Sequence, residues 1–264
     1  SARKEAEQDL LSVLRHLKAL DYDGVEFAGF YGHSAQDVRA MLEECGLHAV
    51  SSHVALKLIE ADMQGVIDYH KAIGCDYIAV PYLSAEQRPG MPAFAGVLRT
   101  IYQFGCLCRD NGIQLLYHNH DFEFAPFSGM YALDFLYAAM PEEVLKTEID
   151  VCWVRYAGED PAAYLRKYAG RAPVVHLKDY VGRRQGDAVP YGLLGQSEAR
   201  TAGGAPFEFR PLGYGCQDVP AVAQAGLDAG ARWFVVEQDA SVGRTPLEAA
   251  AMSIDTLRKI GLKG

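Results

Sequence analysis

Short apolar runs with polar side chains at their ends recur along this chain, and they limit the folds open to it. In a β-strand, residues two positions apart face the same side. Four runs each present such a pair near their C-terminal end: His118 and His120, Glu148 and Asp150, His176 and Lys178, Glu237 and Asp239. Four strands ending in polar pairs suggest one shared site, and His with Asp and Glu is a ligand set for a divalent ion.

Segments with helical spacing separate the apolar runs. The first shows it clearly, with leucines at 10, 11, 14, 17 and 20 and Val13 between them. The chain reads as seven strands, each followed by a helix, which predicts a parallel sheet. We predict one domain over residues 1–264, an α/β (β/α)8 TIM barrel. Because the chain opens on a helix, we expect the first β-strand of the barrel to be missing. Active sites of this fold lie at the C-terminal strand ends. An open doubly wound sheet would need a glycine-rich phosphate turn, which residues 28–32 do not supply.

One interval is too long for an ordinary loop. Residues from about 180 to 214 show no periodicity and are rich in Gly, Arg and Pro. Connections of this length are usually functional or disordered. The interval follows the His176 run, which favours a lid or a subunit contact, and a passive surface insertion is the alternative.

Composition excludes several classes of function. Half of the residues are hydrophobic, enough for a sizeable core. A net charge of -9 opposes broad binding to nucleic acids or anionic membranes. No apolar run approaches the roughly 20 residues that span a bilayer. Six cysteines in 264 residues do not indicate a disulfide framework, so we expect reduced packing residues and a cytoplasmic protein.

The chain resembles the sugar phosphate isomerase/epimerase superfamily, also called xylose-isomerase-like barrels. This family includes isomerases, epimerases, dehydratases, lyases and an endonuclease branch, so the resemblance says more about fold than about reaction. It rests on residues 22–27 (YDGVEF), 117–124 (YHNHDFEF), 147–150 (TEID), 175–179 (VHLKD) and 235–238 (VVEQ).

The resemblance also implies a metal centre. Members typically hold one divalent ion with a Glu, an Asp, a His and a second Glu from successive strand ends. The last three fall on Asp150, His176 and Glu237, while the first falls on His118. Either His118 is a ligand in place of that glutamate, or Glu148 fills the gap. We expect Mn2+ or Zn2+, with Mg2+ and Co2+ as alternatives.

The function implied is a metal-dependent isomerase or epimerase of a keto sugar or sugar derivative. A proton next to a carbonyl would be removed through a metal-stabilised enediolate. Histidine is a common general base near neutral pH. The expected catalytic residues are His120, Glu148, Glu237 and Lys178. The expected substrate contacts are Glu26, His53, Trp153 and Arg210.

Three other functions remain open at this stage. The His-x-His element resembles that of inosose dehydratases, which makes a lyase or dehydratase on a keto-sugar, inosose or 3-keto-glycoside the main rival. A DNA-repair endonuclease is disfavoured by the acidic charge. A non-catalytic sugar-binding subunit of a larger complex is the third. The expected partner is a small carbohydrate, and the chain could also form a homodimer.

Overall fold

A computed structural model describes residues 2–182 and 207–263. Its β-strands, in chain order, are β1 (Gly24–Phe27), β2 (His48–His53), β3 (Tyr77–Val80), β4 (Gln114–His118), β5 (Pro126–Phe127), β6 (Met130–Tyr131), β7 (Lys146–Asp150), β8 (Val174–Leu177), β9 (Asp179–Val181), β10 (Glu208–Arg210) and β11 (Trp233–Val236). Its helices are α1 (Arg3–Gln8), α2 (Leu10–Ala19), α3 (Ala35–Cys45), α4 (Leu56–Ala61), α5 (Met63–Ile73), α6 (Phe94–Asp110), α7 (Ala132–Ala138), α8 (Val151–Ala157), α9 (Pro161–Lys167), α10 (Val219–Asp228) and α11 (Pro246–Lys259).

Seven of these strands form one parallel sheet that curves into a nearly closed barrel. Their order is β1-β2-β3-β4-β7-β8-β11, and every neighbouring pair is parallel. This confirms the predicted barrel with one strand fewer than eight. β1 and β11 are the two edges of the sheet, and a cavity of about 350 Å³ lined by both of them lies at the open seam.

The barrel interior is layered. Val50, Tyr77, Ala79, Leu116 and Val174 pack together as an apolar floor. Since side chains alternate along a strand, the residue two positions beyond Leu116 or Val174 points the same way but lies nearer the C-terminal end. Those residues are His118 and His176, so the polar groups stand above an apolar plug.

Two predicted helices are each interrupted by an aspartate. The Asp9 side chain accepts a hydrogen bond from the Ser12 backbone N–H at 2.9 Å, and Asp62 accepts one from Gly65 at 2.9 Å. Each aspartate thereby caps a new helix, α2 or α5. Apolar periodicity continues through both breaks, which is why the sequence predicted single helices.

The predicted lid lies largely outside the described residues. The segments on either side of it, β9 and β10, pair as antiparallel strands. The role of residues 183–206 stays a prediction.

All six cysteines are free, and four of them, at positions 45, 75, 108 and 152, are buried. Cys106 is half-buried, and Cys216 is exposed, so Cys216 does not serve the packing role expected of it. In the described part of the chain, no helix combines the length and apolarity needed to cross a membrane.

Two glycines on α6 test how closely this helix packs on the barrel. A Cβ at Gly105 would lie 2.5 Å from the Val144 carbonyl oxygen, whereas a Cβ at Gly96 would have nothing within 4 Å. We expect Gly105→Ala to lower the free energy of unfolding by about 1–3 kcal/mol through overpacking. The matched Gly96→Ala should raise it by up to about 1 kcal/mol. Denaturant unfolding of both variants measures this, and equal effects would contradict the close contact.

Candidate metal centre

Four strand ends bring together the four residues first in line as metal ligands. One ligand atom from each of His118, Asp150, His176 and Glu237 lies within 4.8 Å of the others, and all four residues are buried. His118 Nε2 is 3.4 Å from Asp150 Oδ2 and 3.8 Å from Glu237 Oε2. His176 Nδ1 is 3.1 Å from Glu237 Oε2.

Strand register explains this convergence. Asp150 of β7 pairs directly with His176 of β8, and His118 of β4 pairs with Glu148 of β7. Glu237 follows β11 directly, and its backbone N–H donates to the Leu177 carbonyl. Parallel pairing therefore brings the C-terminal ends of these strands, and with them the four groups, to the same end of the barrel.

The residues present fit a divalent cation. Both ring nitrogens of His118 and the Oδ2 atom of Asp150 are buried, and none of these atoms makes a hydrogen bond within the described residues. Buried polar atoms are normally satisfied, and each unsatisfied one costs free energy. A cation bound between the imidazole and the carboxylate would satisfy the ligating nitrogen and the orphaned oxygen together.

Asp150 serves two structural purposes with its two carboxylate oxygens. Oδ1 accepts from the backbone N–H groups of Cys152 at 2.8 Å and Trp153 at 3.1 Å, which caps α8. Oδ2 faces the cluster. The sequence did not predict α8. Asp150 is both the last residue of β7 and the N-cap of α8, and from the sequence it was assigned to the strand alone.

Glu148 joins a different set. Its Oε2 atom lies 2.8 Å from His53 Nε2 and 3.6 Å from His176 Nε2. Glu26 completes this set, with Oε1 at 3.2 Å from His53 Nε2 and 3.0 Å from His176 Nε2. Glu148 is thus placed beside the predicted substrate contacts Glu26 and His53 and outside the group of four ligands.

The mutual pairing of these buried groups fixes their charges. Burial disfavours the charged form of His176, yet Glu26 and Glu148 outweigh that effect and raise its pKa well above the usual value. The pKa of His53 is raised against burial by the same two carboxylates. In turn His176 and His53 overcome the burial of Glu148 and hold its pKa well below the usual range.

Lys178 lies among three carboxylates. Its ammonium is 2.6 Å from Glu237 Oε2, 2.7 Å from Asp239 Oδ2 and 3.2 Å from Asp150 Oδ2. Burial alone would lower the pKa of Lys178, but these carboxylates raise it well above the ordinary value, so the ammonium stays charged. Lys178 also offsets the burial of Glu237, whose pKa lies well below the usual range.

Two further residues complete this charge cluster. Asp239 pairs with Lys178, and Arg3 reaches Glu237 Oε1 at 3.1 Å and Asp239 Oδ1 at 3.3 Å. The sequence grouped Asp239 with Glu237 among the polar pairs of the shared site but gave it no role. Arg3 was not predicted, because it comes from α1, ahead of the first described strand.

Comparison with known proteins identifies the family. The model of the xylose isomerase-like TIM barrel family matches residues 14–260. The chain belongs to this family. No match was found among curated proteins.

Solved structures show the same fold at low sequence identity. A sugar phosphate isomerase/epimerase from Parabacteroides distasonis is 20% identical with a TM-score of 0.78, over 100% of this chain and 92% of that one. A xylose isomerase domain protein from Alicyclobacillus acidocaldarius is 15% identical with a TM-score of 0.72, over 95% of this chain and 92% of the other. A xylose isomerase-like TIM barrel protein from Mycobacterium smegmatis, in complex with magnesium, is 17% identical with a TM-score of 0.66, over 96% of this chain and 88% of that one.

His120 lies beside the ligand set of this xylose isomerase-like barrel but outside it. Its ring centroid is 5.1 Å from that of His118 and 5.2 Å from that of Trp153, and Phe122 stacks on it at 5.7 Å. Burial, reinforced by the nearby His118 and Lys178, lowers the pKa of His120 well below its usual value. The imidazole is therefore neutral at neutral pH and can accept a proton.

Trp153 and Arg210 differ in their surroundings. Trp153 is fully buried, with the Lys178 ammonium 5.5 Å from its ring centroid, so it forms part of the site wall. Arg210 lies on β10, and its described ion pair is with Glu208 of the same strand at 2.9 Å. That pair does not connect Arg210 to the cluster.

Asp179 secures the chain where it returns from the long interval. Its Oδ2 atom accepts from the backbone N–H groups of Gly213 at 3.0 Å and Gly215 at 2.9 Å. Its Oδ1 atom accepts from Tyr180 at 2.9 Å and Gln217 at 3.0 Å. Two adjacent residues thus have different roles. Lys178 lies in the site, while Asp179 stabilises the loop at residues 213–217 beside it.

Removal of the Lys178 ammonium would take from three buried carboxylates a cation that contacts all three. We expect Lys178→Met to lower the free energy of unfolding of metal-free protein by about 3–5 kcal/mol. Added Mn2+ should restore more stability to this variant than it adds to the wild type, because cation and ammonium compete for the same oxygens. Denaturant unfolding with and without Mn2+ measures both effects.

Lys167→Met is the matched control for that experiment. Lys167 pairs with Asp134 at 2.6 Å but is about half exposed, with 48% of its side chain accessible. Its loss should cost no more than about 1 kcal/mol and should not respond to Mn2+. Equal losses in the two variants would contradict the compensating role of Lys178.

Glu123 should make stability depend on pH. It accepts hydrogen bonds from the Tyr117 hydroxyl at 2.6 Å and the His120 backbone N–H at 2.8 Å, and burial raises its pKa to about 8. The folded state keeps a proton that the unfolded state releases near pH ~4.3. Wild-type stability therefore falls as pH rises from about 4.3 to about 8.

Glu123→Gln removes this titration. Its free energy of unfolding relative to wild type should shift in favour of the variant between pH 5 and 8, by more than the ~1.4 kcal/mol that one pKa unit represents. Glu142→Gln, at an exposed position, controls for the loss of a carboxyl. Parallel pH profiles for wild type and Glu123→Gln would show that Glu123 is charged in the fold.

Proposed function

We propose that this protein is a divalent-metal-dependent isomerase or epimerase of a keto sugar or sugar derivative. The observation that carries the proposal is that a neutral imidazole lies next to a complete set of four candidate metal ligands without belonging to it. His118, Asp150, His176 and Glu237 would hold the ion, and His120 lies directly beside them. Family membership supports the same class of reaction.

The ion, when bound, supplies a positive charge that polarises a ketone or hydroxyl oxygen and so acidifies the neighbouring C–H. Mn2+ and Zn2+ suit the mixed imidazole and carboxylate donors, with Mg2+ and Co2+ as alternatives. The remaining steps fall to the side chains of the chain.

His120 is the proposed general base. Its imidazole is neutral at neutral pH, and its ring lies beside Phe122 and Trp153. The Glu123 carboxyl bonds the His120 backbone N–H, which fixes the base from behind. A base so confined acts on one carbon and one face of a bound substrate.

Proton return needs a second group. Glu237 and Glu148 were both candidates, and their surroundings favour Glu237. Both carboxylates are paired with cationic side chains, but Glu148 is fully buried, whereas Glu237 keeps 7% of its surface exposed. Delivery of the proton to another carbon gives an isomer, and delivery to the opposite face gives an epimer.

Lys178 has an electrostatic role in this scheme. Its charged ammonium holds Glu237, Asp150 and Asp239 together, and it stabilises negative charge that develops on the substrate oxygen. Trp153 forms the wall beneath a bound sugar ring.

A lyase or dehydratase is the second candidate. The presence of His118 in place of a glutamate leaves an unlike pair of proton carriers, the imidazole of His120 and the carboxylate of Glu237. An unlike pair suits elimination, in which one group removes a proton and the other assists a leaving group. A keto-sugar, inosose or 3-keto-glycoside would be the substrate.

Incubation with a panel of keto sugars in deuterated buffer tests the proposal. Mn2+-loaded protein should place deuterium on the carbon next to the carbonyl and form an isomer or epimer without loss of a substituent. His120→Gln should slow exchange about 10²–10⁴-fold, and Asp150→Asn should lose exchange together with the ion held by this ligand set. His70→Gln, a buried histidine on α5 outside the site, is the control with unchanged exchange.

Mass spectrometry and NMR of the products separate the candidates. A product that has lost water or an aglycone would establish the lyase. Tight sugar binding with no exchange would establish a binding subunit and would overturn both enzymatic proposals.

A further inference from the structure

The set around Glu148 has the makeup of a cation site in its own right. Glu26, His53, Glu148 and His176 offer two carboxylate oxygens and two imidazole nitrogens, with one ligand atom of each within 4.8 Å of the others. Three of these residues, Glu26, His53 and Glu148, take no part in the first ligand set. They come from β1, β2 and β7, and of these three strands only β7 also contributes to the first set.

Distances within this set match a small tetrahedral centre. Four edges run from 2.8 to 3.6 Å between the two imidazole nitrogens and the two carboxylate oxygens. Ligands at about 2.0 Å from Zn2+ in a tetrahedron stand about 3.3 Å apart. The corresponding edges of the first set, 3.1–3.8 Å, are wider.

An orphaned atom points to a missing ligand here. Glu148 is fully buried, and its Oε1 atom makes no hydrogen bond within residues 2–182 and 207–263. On Glu26, Oε2 accepts from the Ser51 hydroxyl and lies 3.1 Å from His176 Nε2, while Oε1 lies near both imidazoles. A carboxylate oxygen without a donor in a fully buried position is costly unless something positive binds it.

We propose that Glu26, His53 and Glu148 bind a second divalent cation, Zn2+ or Mn2+, next to the first. Two ligands are possible at the fourth position. In one case His176 Nε2 loses its proton and binds the second ion, so that the ring bridges both ions as an imidazolate. In the other, His176 Nε2 keeps its proton and donates it in a hydrogen bond to Glu26, and a water molecule is the fourth ligand. The three-residue site is the same in both cases.

Metal stoichiometry tests this proposal. Full-length protein is loaded separately with Zn2+ and with Mn2+, freed of excess ion by gel filtration and analysed for metal per chain. Wild type should hold two ions. His53→Gln and Glu148→Gln should each hold one, as should Asp150→Asn, and His70→Gln should keep two.

An independent readout uses electron paramagnetic resonance of the Mn2+-loaded samples. Two neighbouring ions broaden each other's signals, so the wild-type spectrum should be broad, and both His53→Gln and Asp150→Asn should show the sharp lines of an isolated ion. Circular dichroism of each variant confirms folding, and Glu148→Gln repeats the test at a second ligand should His53→Gln fail to fold.

The possible results separate this inference from the proposed function. One ion in wild type that is lost in Asp150→Asn and kept in His53→Gln would overturn the second site and leave the proposed enzyme intact. One ion lost in His53→Gln and kept in Asp150→Asn would support the site named here and overturn the first ligand set. No ion in any sample would overturn both.

Discussion

Compensation of buried carboxylates is the constraint on which this barrel mouth depends. Asp150 and Glu148 are fully buried, and Glu237 and Asp239 are nearly so. Isolated carboxylates at such positions would be prohibitively unfavourable. The Lys178 ammonium forms ion pairs with three of them. The imidazoles of His53 and His176 compensate the charge of Glu148 and also that of Glu26. Each cationic group is itself charged only because the carboxylates surround it, so no single member can be removed without cost to the rest.

This mutual dependence explains why a metal centre and a stable fold are compatible. Each carboxylate has two oxygens, and the structure assigns them separately. Asp150 uses one oxygen to cap α8 and directs the other at His118. On Glu26, one oxygen contacts Ser51 and His176, and the other contacts His53 and His176. Helix capping and strand pairing position the ligands before any ion arrives, so little ordering is needed on binding.

The sequence was sufficient for the fold, because strand and helix periodicity alternate along it. Alternation within the strands also predicted that their polar pairs share one site, and the barrel brings His118, Asp150, His176 and Glu237 together. Their role as metal ligands, which the family resemblance implied, stays a prediction. Depth was not predictable. Glu148 and Asp150 share a face, but two residues along a strand separate them by roughly 6.6 Å. Only the side-chain distances show that Asp150 meets His118 at 3.4 Å, whereas Glu148 meets His53 at 2.8 Å. Arg3 was beyond prediction, since its position depends on the path of α1 across the seam.

The cluster also links two strands that are not neighbours in the described sheet. β1 and β11 lie at the two ends of the strand order, and the described sheet has no backbone pairing between them. Glu26 stands on β1, and Glu237 directly follows β11. His176 on β8 contacts both, through Nε2 and Nδ1 respectively. Side-chain contacts therefore connect strands that backbone hydrogen bonds do not. A cation on the first set would add a bond to Glu237, and one on the second set would add a bond to Glu26, so each would strengthen one half of this connection.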